Sequence, residues 1–233
     1  MNLTGVLINS GGVLFAGAFG TLFKKGLPKK IKDTLMIGLG LCVLYIGVSG
    51  ISADTNMMIL VLSVSVGAFL GELIDIDSKL NRFGVFVEKN LPIKDENIAD
   101  GFISSTLFVC VGAMSIVGGI ESGTQGTYQI FLAKTFIDSL VVFVMSATKG
   151  IGCCLSAFVA LLYQTLITVS AGYIAQIVTD LTISQMSEIG SLLIVGIALN
   201  LMNITKIKVG NLILCPFVPV LIYLGTQALN AIF

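Results

Sequence analysis

Lys134 and Asp138 are the two residues whose types and spacing point most directly to chemistry. They stand four positions apart in an otherwise apolar run that begins near Tyr128. At 1.5 Å per helical residue, Lys134 lies roughly 9 Å and Asp138 roughly 15 Å into such a helix, near the midplane of a bilayer. An i, i+4 spacing puts both on one face, where they can pair. A charge at that depth costs at least about 2.5–3.5 kcal/mol, so an ionisable residue there marks a functional site by default. Asp138 reads as a cation or proton site, and Lys134 as its counter-ion or a ligand for a substrate carboxylate. The competing reading is a neutralised structural pair with Lys134 snorkelling outward.

Other polar groups are fewer. Asn200, Asn203 and Asn211 gather around one hairpin beside Lys206 and Lys208. Their amides could coordinate an ion or hydrogen-bond a polar solute, or equally cap helices and bond between them. Gln164 is a lone polar group in the middle of a long apolar run, able to line a cavity or bond a neighbour. Ser104, Ser105 and Thr106 are further candidates. Gly112, Gly118 and Gly119 suit close packing, and Pro216 and Pro219 each remove a backbone donor and free a carbonyl nearby.

The elements that must position these residues are set by composition. Of 233 residues, 55% are hydrophobic and only 11% charged, with a mean hydropathy of +1.00. Soluble domains carry about 25% charged residues, so lipid is the solvent that this surface fits. Apolar runs of about 20 residues, the length that crosses a hydrocarbon core, fall near 3–23, 34–52, 56–74, 101–120, 128–147, 151–176, 189–204 and 209–229. The expected fold is an all-α integral membrane protein of about eight transmembrane helices in a single domain covering 1–233. Between Asp75 and Asp100, apolar Leu80, Phe83, Val87 and Leu91 recur every three or four residues against Lys79, Arg82, Glu88 and Lys89. That pattern predicts an amphipathic helix on the membrane surface, with a shorter one over Leu27 to Lys32.

Charge then orients the chain. With eight spans, alternate loops hold twelve of the thirteen basic residues, from Lys24 and Lys25 through Arg82 and Lys149 to Lys208, while the other loops hold Asp54, Glu121, Asp180 and Glu188. The basic side is the cytoplasmic one, so both termini are expected on the non-cytoplasmic side. The first apolar run has no basic residue before it and reads as a retained span rather than a signal peptide.

The chain also echoes itself. Gly17-Ala18-Phe19 and Gly67-Ala68-Phe69 each precede a basic or amphipathic stretch. Helices 3–5 and 6–8 run in opposite orientations and could form an inverted 3+3 repeat behind an N-terminal hairpin, a recurring transporter architecture. Under that alignment Lys134 matches Asn211, and Asp138 matches Cys215. Shared Gly-rich composition is the other explanation.

Several classes are disfavoured. No basic stripe suits nucleic acid, and without His the usual proton shuttle and commonest metal ligand are missing. The five cysteines lie irregularly in apolar runs and read as packing residues rather than a disulfide framework or zinc site. No nucleophile stands beside a credible base, so an enzyme is not expected, nor a cofactor.

The Gly5–Gly20 region, Lys32-Asp33-Thr34, Gly67-Ala68-Phe69-Leu70-Gly71-Glu72, the stretch Thr106–Gly118 with its Cys110-Val111-Gly112-Ala113-Met114 centre, and Ile197–Leu201 resemble the bacterial membrane proteins of domain-of-unknown-function family 554. The resemblance covers nearly the whole chain. It implies a prokaryotic cytoplasmic-membrane protein, with a Lys and an Asp where Lys134 and Asp138 stand and a Tyr-Gln like Tyr163-Gln164. The family places a proline nearer the residue matching Asn211 than Pro216 is here, which bears on where the last helix bends. It implies no particular activity. The leading functional expectation is therefore a small secondary transporter or ion-conducting protein for a small polar or ionic solute. The alternative is a non-transporting scaffold or partner subunit. Membrane lipid, the solute and a second copy of the chain are the partners considered.

Overall fold

The computed structural model describes residues 2–24, 26–52, 56–90 and 98–232. Met1, Lys25, Asp54, Leu91, Lys94 and Phe233, which carried part of the sequence reading, lie outside the described residues. Those described form α1 (Thr4–Phe23), α2 (Lys29–Ser49), α3 (Met57–Ile74), α4 (Ile76–Asn90), α5 (Ile98–Val111), α6 (Ala113–Thr124), α7 (Gln129–Lys149), α8 (Ser156–Ile177), α9 (Asp180–Leu201), α10 (Val209–Leu212) and α11 (Val218–Ile232). Two 3-10 turns, Ile151–Leu155 and Cys215–Phe217, join α7 to α8 and α10 to α11. Among the described residues no strand occurs.

Among the described residues, seven segments are long and apolar enough to cross a membrane, and α5 with α6, bent by 54°, makes an eighth if taken as one crossing. The eight runs expected from hydropathy thus all have helical counterparts, with three informative differences. The fourth run breaks at Gly112, whose extended backbone (φ −63°, ψ 140°) caps α6. The eighth breaks at the 3-10 turn carrying Pro216, where a missing amide proton stops the α-helical ladder. The seventh begins at Asp180 rather than near 189, with the Thr179 hydroxyl accepting from the Thr182 amide. Part of its polar first half faces inward, Thr182 and Glu188 being buried, so average hydropathy underestimates its length.

The surface helix expected after Asp75 is α4. Asp75 takes a left-handed conformation (φ 54°) that turns the chain out of α3. Phe83 lies 5.6 Å from the Phe102 ring of α5, which holds α4 against the bundle. No separate helix covers Leu27 to Lys32; Pro28 caps α2, which starts at Lys29 and runs on unbroken.

Loops sort to two ends. At one, the Lys24 ammonium donates to the Lys149 carbonyl, joining the α1–α2 and α7–α8 connections. There too Lys208 donates to Glu72 across 2.8 Å, a hydrogen bond that raises the Lys208 pKa. At the other, Asn2 bonds the Ser122 and Gly126 carbonyls. The basic loops share the first end, as alternating spans require.

Inside, α5, α7 and α9 form the centre. Val109, Val142 and Met145 are fully buried, with Leu193, Ile197 and Ala198 packed among them. Helix α1 lies along α7, α2 along α9, and α6 along α8. Outward, Phe15, Phe19, Tyr45, Phe69, Phe136 and Tyr173 are exposed, an apolar rim that a soluble monomer would not tolerate. Helix α3 is the most peripheral span, 17% of it buried against 61% of α9. It reaches the bundle through close backbone contact: a Cβ on Gly71 would overlap the Asn211 carbonyl. Gly71→Ala should therefore lower the unfolding temperature of the detergent-solubilised protein, by about 1–3 kcal/mol of stability. Gly38→Ala, where a Cβ meets nothing, should leave it unchanged or raise it. Equal losses would contradict the α3–α10 contact.

Candidate functional site: a buried lysine–aspartate pair

Helix α7 turns its inner face through Phe131, Lys134, Asp138, Val141, Val142 and Met145. The i, i+4 register brings the Lys134 Nζ to 2.9 Å from Asp138 Oδ2, and it donates to Oδ1 at 3.1 Å. Both residues are almost wholly buried, at 3% and 2% exposure. A third residue completes the set. Asn9 of α1, fully buried, donates its Nδ2 to Asp138 Oδ2 at 3.1 Å. Small residues on α1 permit this approach: a Cβ on Gly12 would collide with Thr135 and Ser139 of α7. Asn9 Oδ1 and the neighbouring Ser10 hydroxyl have no hydrogen-bond partner. Sequence reasoning passed over Asn9, although Asn9-Ser10 is a polar pair in the middle of the first apolar run.

A cavity of about 160 Å³ adjoins the pair, lined by Lys134 and Asp138, by Phe108 and Gly112 at the α5–α6 break, and by Ser187 and Ser191 of α9. At the break, Ser115 bonds back to the Val109 carbonyl at 3.0 Å, satisfying an acceptor that the bend releases. No side chain caps the α6 N-terminus.

A second cavity, about 400 Å³, lies at the end of the bundle where the basic loops gather and is lined by Asp77, Asp100, Ser104, Lys149, Asn200, Asn203 and Lys206. Lys149 pairs with Asp100 at 3.0 Å and donates to the Ser104 hydroxyl at 2.8 Å. The two cavities share walls. On α5, Leu107 lines the second and Phe108 the first; on α9, Ile197 lines the second and Ile194 the first. Asp138 and Lys149 are ~16 Å apart along α7, with buried Val141, Val142 and Met145 between them. A mainly apolar chamber that holds the charged pair and a more polar one are thus separated by apolar side chains.

The six residues singled out from sequence do not form one site. Lys134 and Asp138 line the first cavity, and Asn200 and Asn203 the second. Asn200 mainly shapes the α9–α10 loop, accepting from Thr205 and the Ile207 amide, each at 2.9 Å, and donating to the Ile207 carbonyl at 2.7 Å. Asn203 takes the left-handed turn conformation there (φ 57°). Asn211 is a clamp: it accepts from the Asp77 amide at 2.7 Å and donates to Glu72, tying α3 and α4 to α10. Gln164 is fully buried on α8, with neither amide atom hydrogen-bonded.

Residues 4–224 match the model of the family described as "Protein of unknown function (DUF554)", and the chain belongs to that family. It is 26% identical over 219 residues to the uncharacterized membrane protein YdfK of Bacillus subtilis (strain 168), covering 92% of this chain and 93% of that one. It is 24% identical over 214 residues to the uncharacterized protein YqgA of Escherichia coli (strain K12), covering 90% and 91%. No solved structure matches.

The geometry of the pair predicts a stability pattern. Lys134→Met or Asp138→Leu alone leaves an unpaired buried charge and should cost about 3–5 kcal/mol, whereas the double replacement should recover most of it. Folded yield and unfolding temperature in detergent measure this. A double variant no better than the worse single one would contradict a coupled pair.

Proposed function

We propose that this DUF554 member is a small secondary transporter or ion-conducting protein whose polar centre is the Lys134–Asp138 pair. The observation that carries this reading is the arrangement of that pair in a chamber separated by an apolar layer from a second, more polar chamber. A transporter needs a central site that each side reaches in turn, and broken helices around the site are the usual means of building one. The break at Gly112 lies at the first chamber, and the clamp of Asn211 stands near the second break. A permanently open channel would need a continuous wet path, which suits a layer of Leu107, Phe108, Ile194 and Ile197 less well.

In this reading the chain sits in a prokaryotic cytoplasmic membrane with its basic loops in the cytoplasm and both termini outside. The first chamber then faces outward and the second inward. The inverted 3+3 relation of helices 3–5 to helices 6–8, behind the N-terminal hairpin, belongs to the same proposal. The protein works as a transporter and not as an enzyme, with lipid, solute and a second copy of itself as partners.

One observation favours the scaffold alternative. Helix α3 leaves Met57, Met58, Val61, Phe69 and Leu73 exposed, a face that a second copy or another membrane protein could cover. Transport and scaffolding separate in proteoliposomes. Asp138→Asn should abolish coupled flux, and the Lys134→Met/Asp138→Leu double variant should fold yet stay inactive. Wild-type flux from the double variant would make the pair structural and remove the proposed site.

A further inference from the structure

Asn9 is the informative residue. Its amide gives its Nδ2 to Asp138 Oδ2, while its own Oδ1, fully buried, has no donor. Asp138 Oδ1 is at present held by Lys134. An ionised carboxylate can only accept, so it cannot serve Asn9 Oδ1. A protonated one can: with a hydrogen on Oδ1, Asp138 and Asn9 would close a mutual acid–amide ring, each donating once and accepting once. The site thus holds an acceptor that a protonated aspartate can serve and an ionised one cannot. Protonation also releases Lys134, whose ammonium then needs a new anion in a largely apolar environment.

The cavity beside Lys134 suits such an anion. The uncapped first turn of α6 begins at Gly112, which lines it, and free helix amides favour negative charge. Ile46, Phe108, Met114 and Ile194 make the remaining wall apolar. Its volume of about 160 Å³ equals the liquid share of roughly five waters. That is room for a carboxylate with a short hydrocarbon body.

We propose that this cavity binds a small monocarboxylate, on Lys134 and the N-terminus of α6, together with one proton taken by Asp138. The inference rests on the transport reading and names its substrate class. The proton comes from solvent and forms one O–H bond on Asp138; no other bond changes. Charge balance decides against the main rival. A proton plus an anion adds no net charge to the neutral pair, whereas a metal cation taken by Asp138 would strand Lys134 as an unpaired charge deep in the membrane. Facing Asp138 are Lys134 from α7 and Asn9 from α1, with the buried Cys110 of α5 within electrostatic range. Ser187 and Ser191 line the cavity from α9, where buried Glu188 adjoins Ser187. Lys134 and Asp138 are the charged residues among its described lining.

The test is ligand-dependent thermal stability of the purified full chain, with formate, acetate and butyrate as probes and butyramide, alanine and sodium chloride as comparisons. At least one carboxylate should stabilise the protein, and its apparent affinity should rise as pH is lowered, by at most about tenfold per pH unit, the limit for one linked proton. Asp138→Asn should still bind it without that pH dependence. Asn9→Leu, which keeps both Lys134 and Asp138, should still bind it with the pH dependence retained. Lys134→Met should not bind. If that variant fails to fold, Ser187→Phe, which fills the cavity and leaves both charges, should abolish the response. No response to any carboxylate, an equal response to butyramide, or pH-independent binding to wild type would overturn the proposal. So would stabilisation by alanine without linked proton uptake. Stabilisation by sodium alone, with flux intact, would overturn it and leave the transport reading standing; absence of flux for every solute would remove the transport reading itself.

Discussion

The hydrogen-bonded ion pair of Lys134 and Asp138 is the constraint around which the bundle is arranged. Each charge alone would be intolerable at that depth, and the pair is tolerable only while protein surrounds it. The face of α7 that carries the pair must therefore be covered, and α1, α2, α5 and α6 pack against this helix. The small residues of α1 follow from the same need. Asn9 reaches Asp138 only because Gly12 lets the two backbones approach. Lipid supplies no hydrophobic drive between helices, so this closeness and the interhelical hydrogen bonds must hold them.

The consequence is uneven burial. The central helices α5, α7 and α9 present polar groups inward at both ends and apolar ones between, which creates two chambers and the layer separating them. Besides the glycine contacts of α3 and the Phe83–Phe102 contact of α4, the peripheral α3 and α4 are tied by polar clamps, Asn211 to Glu72 and Asp77, and Lys208 to Glu72. Those clamps surround the α10 break and join the second chamber's rim at Asp77.

Much of this was legible in the residues. Membrane class, the alternation of basic loops and the pairing of Lys134 with Asp138 follow from composition, charge placement and i, i+4 spacing. What was not legible depends on which way a face turns. Helix α9 looked short because Thr182 and Glu188 lower its hydropathy, yet they face inward. For Asn200 and Asn211 the residue types left ligation and interhelical bonding equally open, and only the fold shows their amides bonding a loop and a clamp. Asn9 was missed because its partner lies on a helix more than a hundred residues away in sequence. Nothing local distinguishes such an asparagine from one that merely bonds its own helix.

The account holds that the two chambers open in turn to opposite sides of the membrane. The most direct test places single cysteines at Ser187 in the first chamber and Ser104 in the second, in a background without native cysteines, and follows labelling by an impermeant thiol reagent. Ser187→Cys should react only from outside and Ser104→Cys only from the cytoplasmic side. A condition that protects one, whether lowered pH or bound solute, should expose the other. Labelling of both from one side, or changes in the same direction, would contradict alternating access across the Leu107–Phe108 layer.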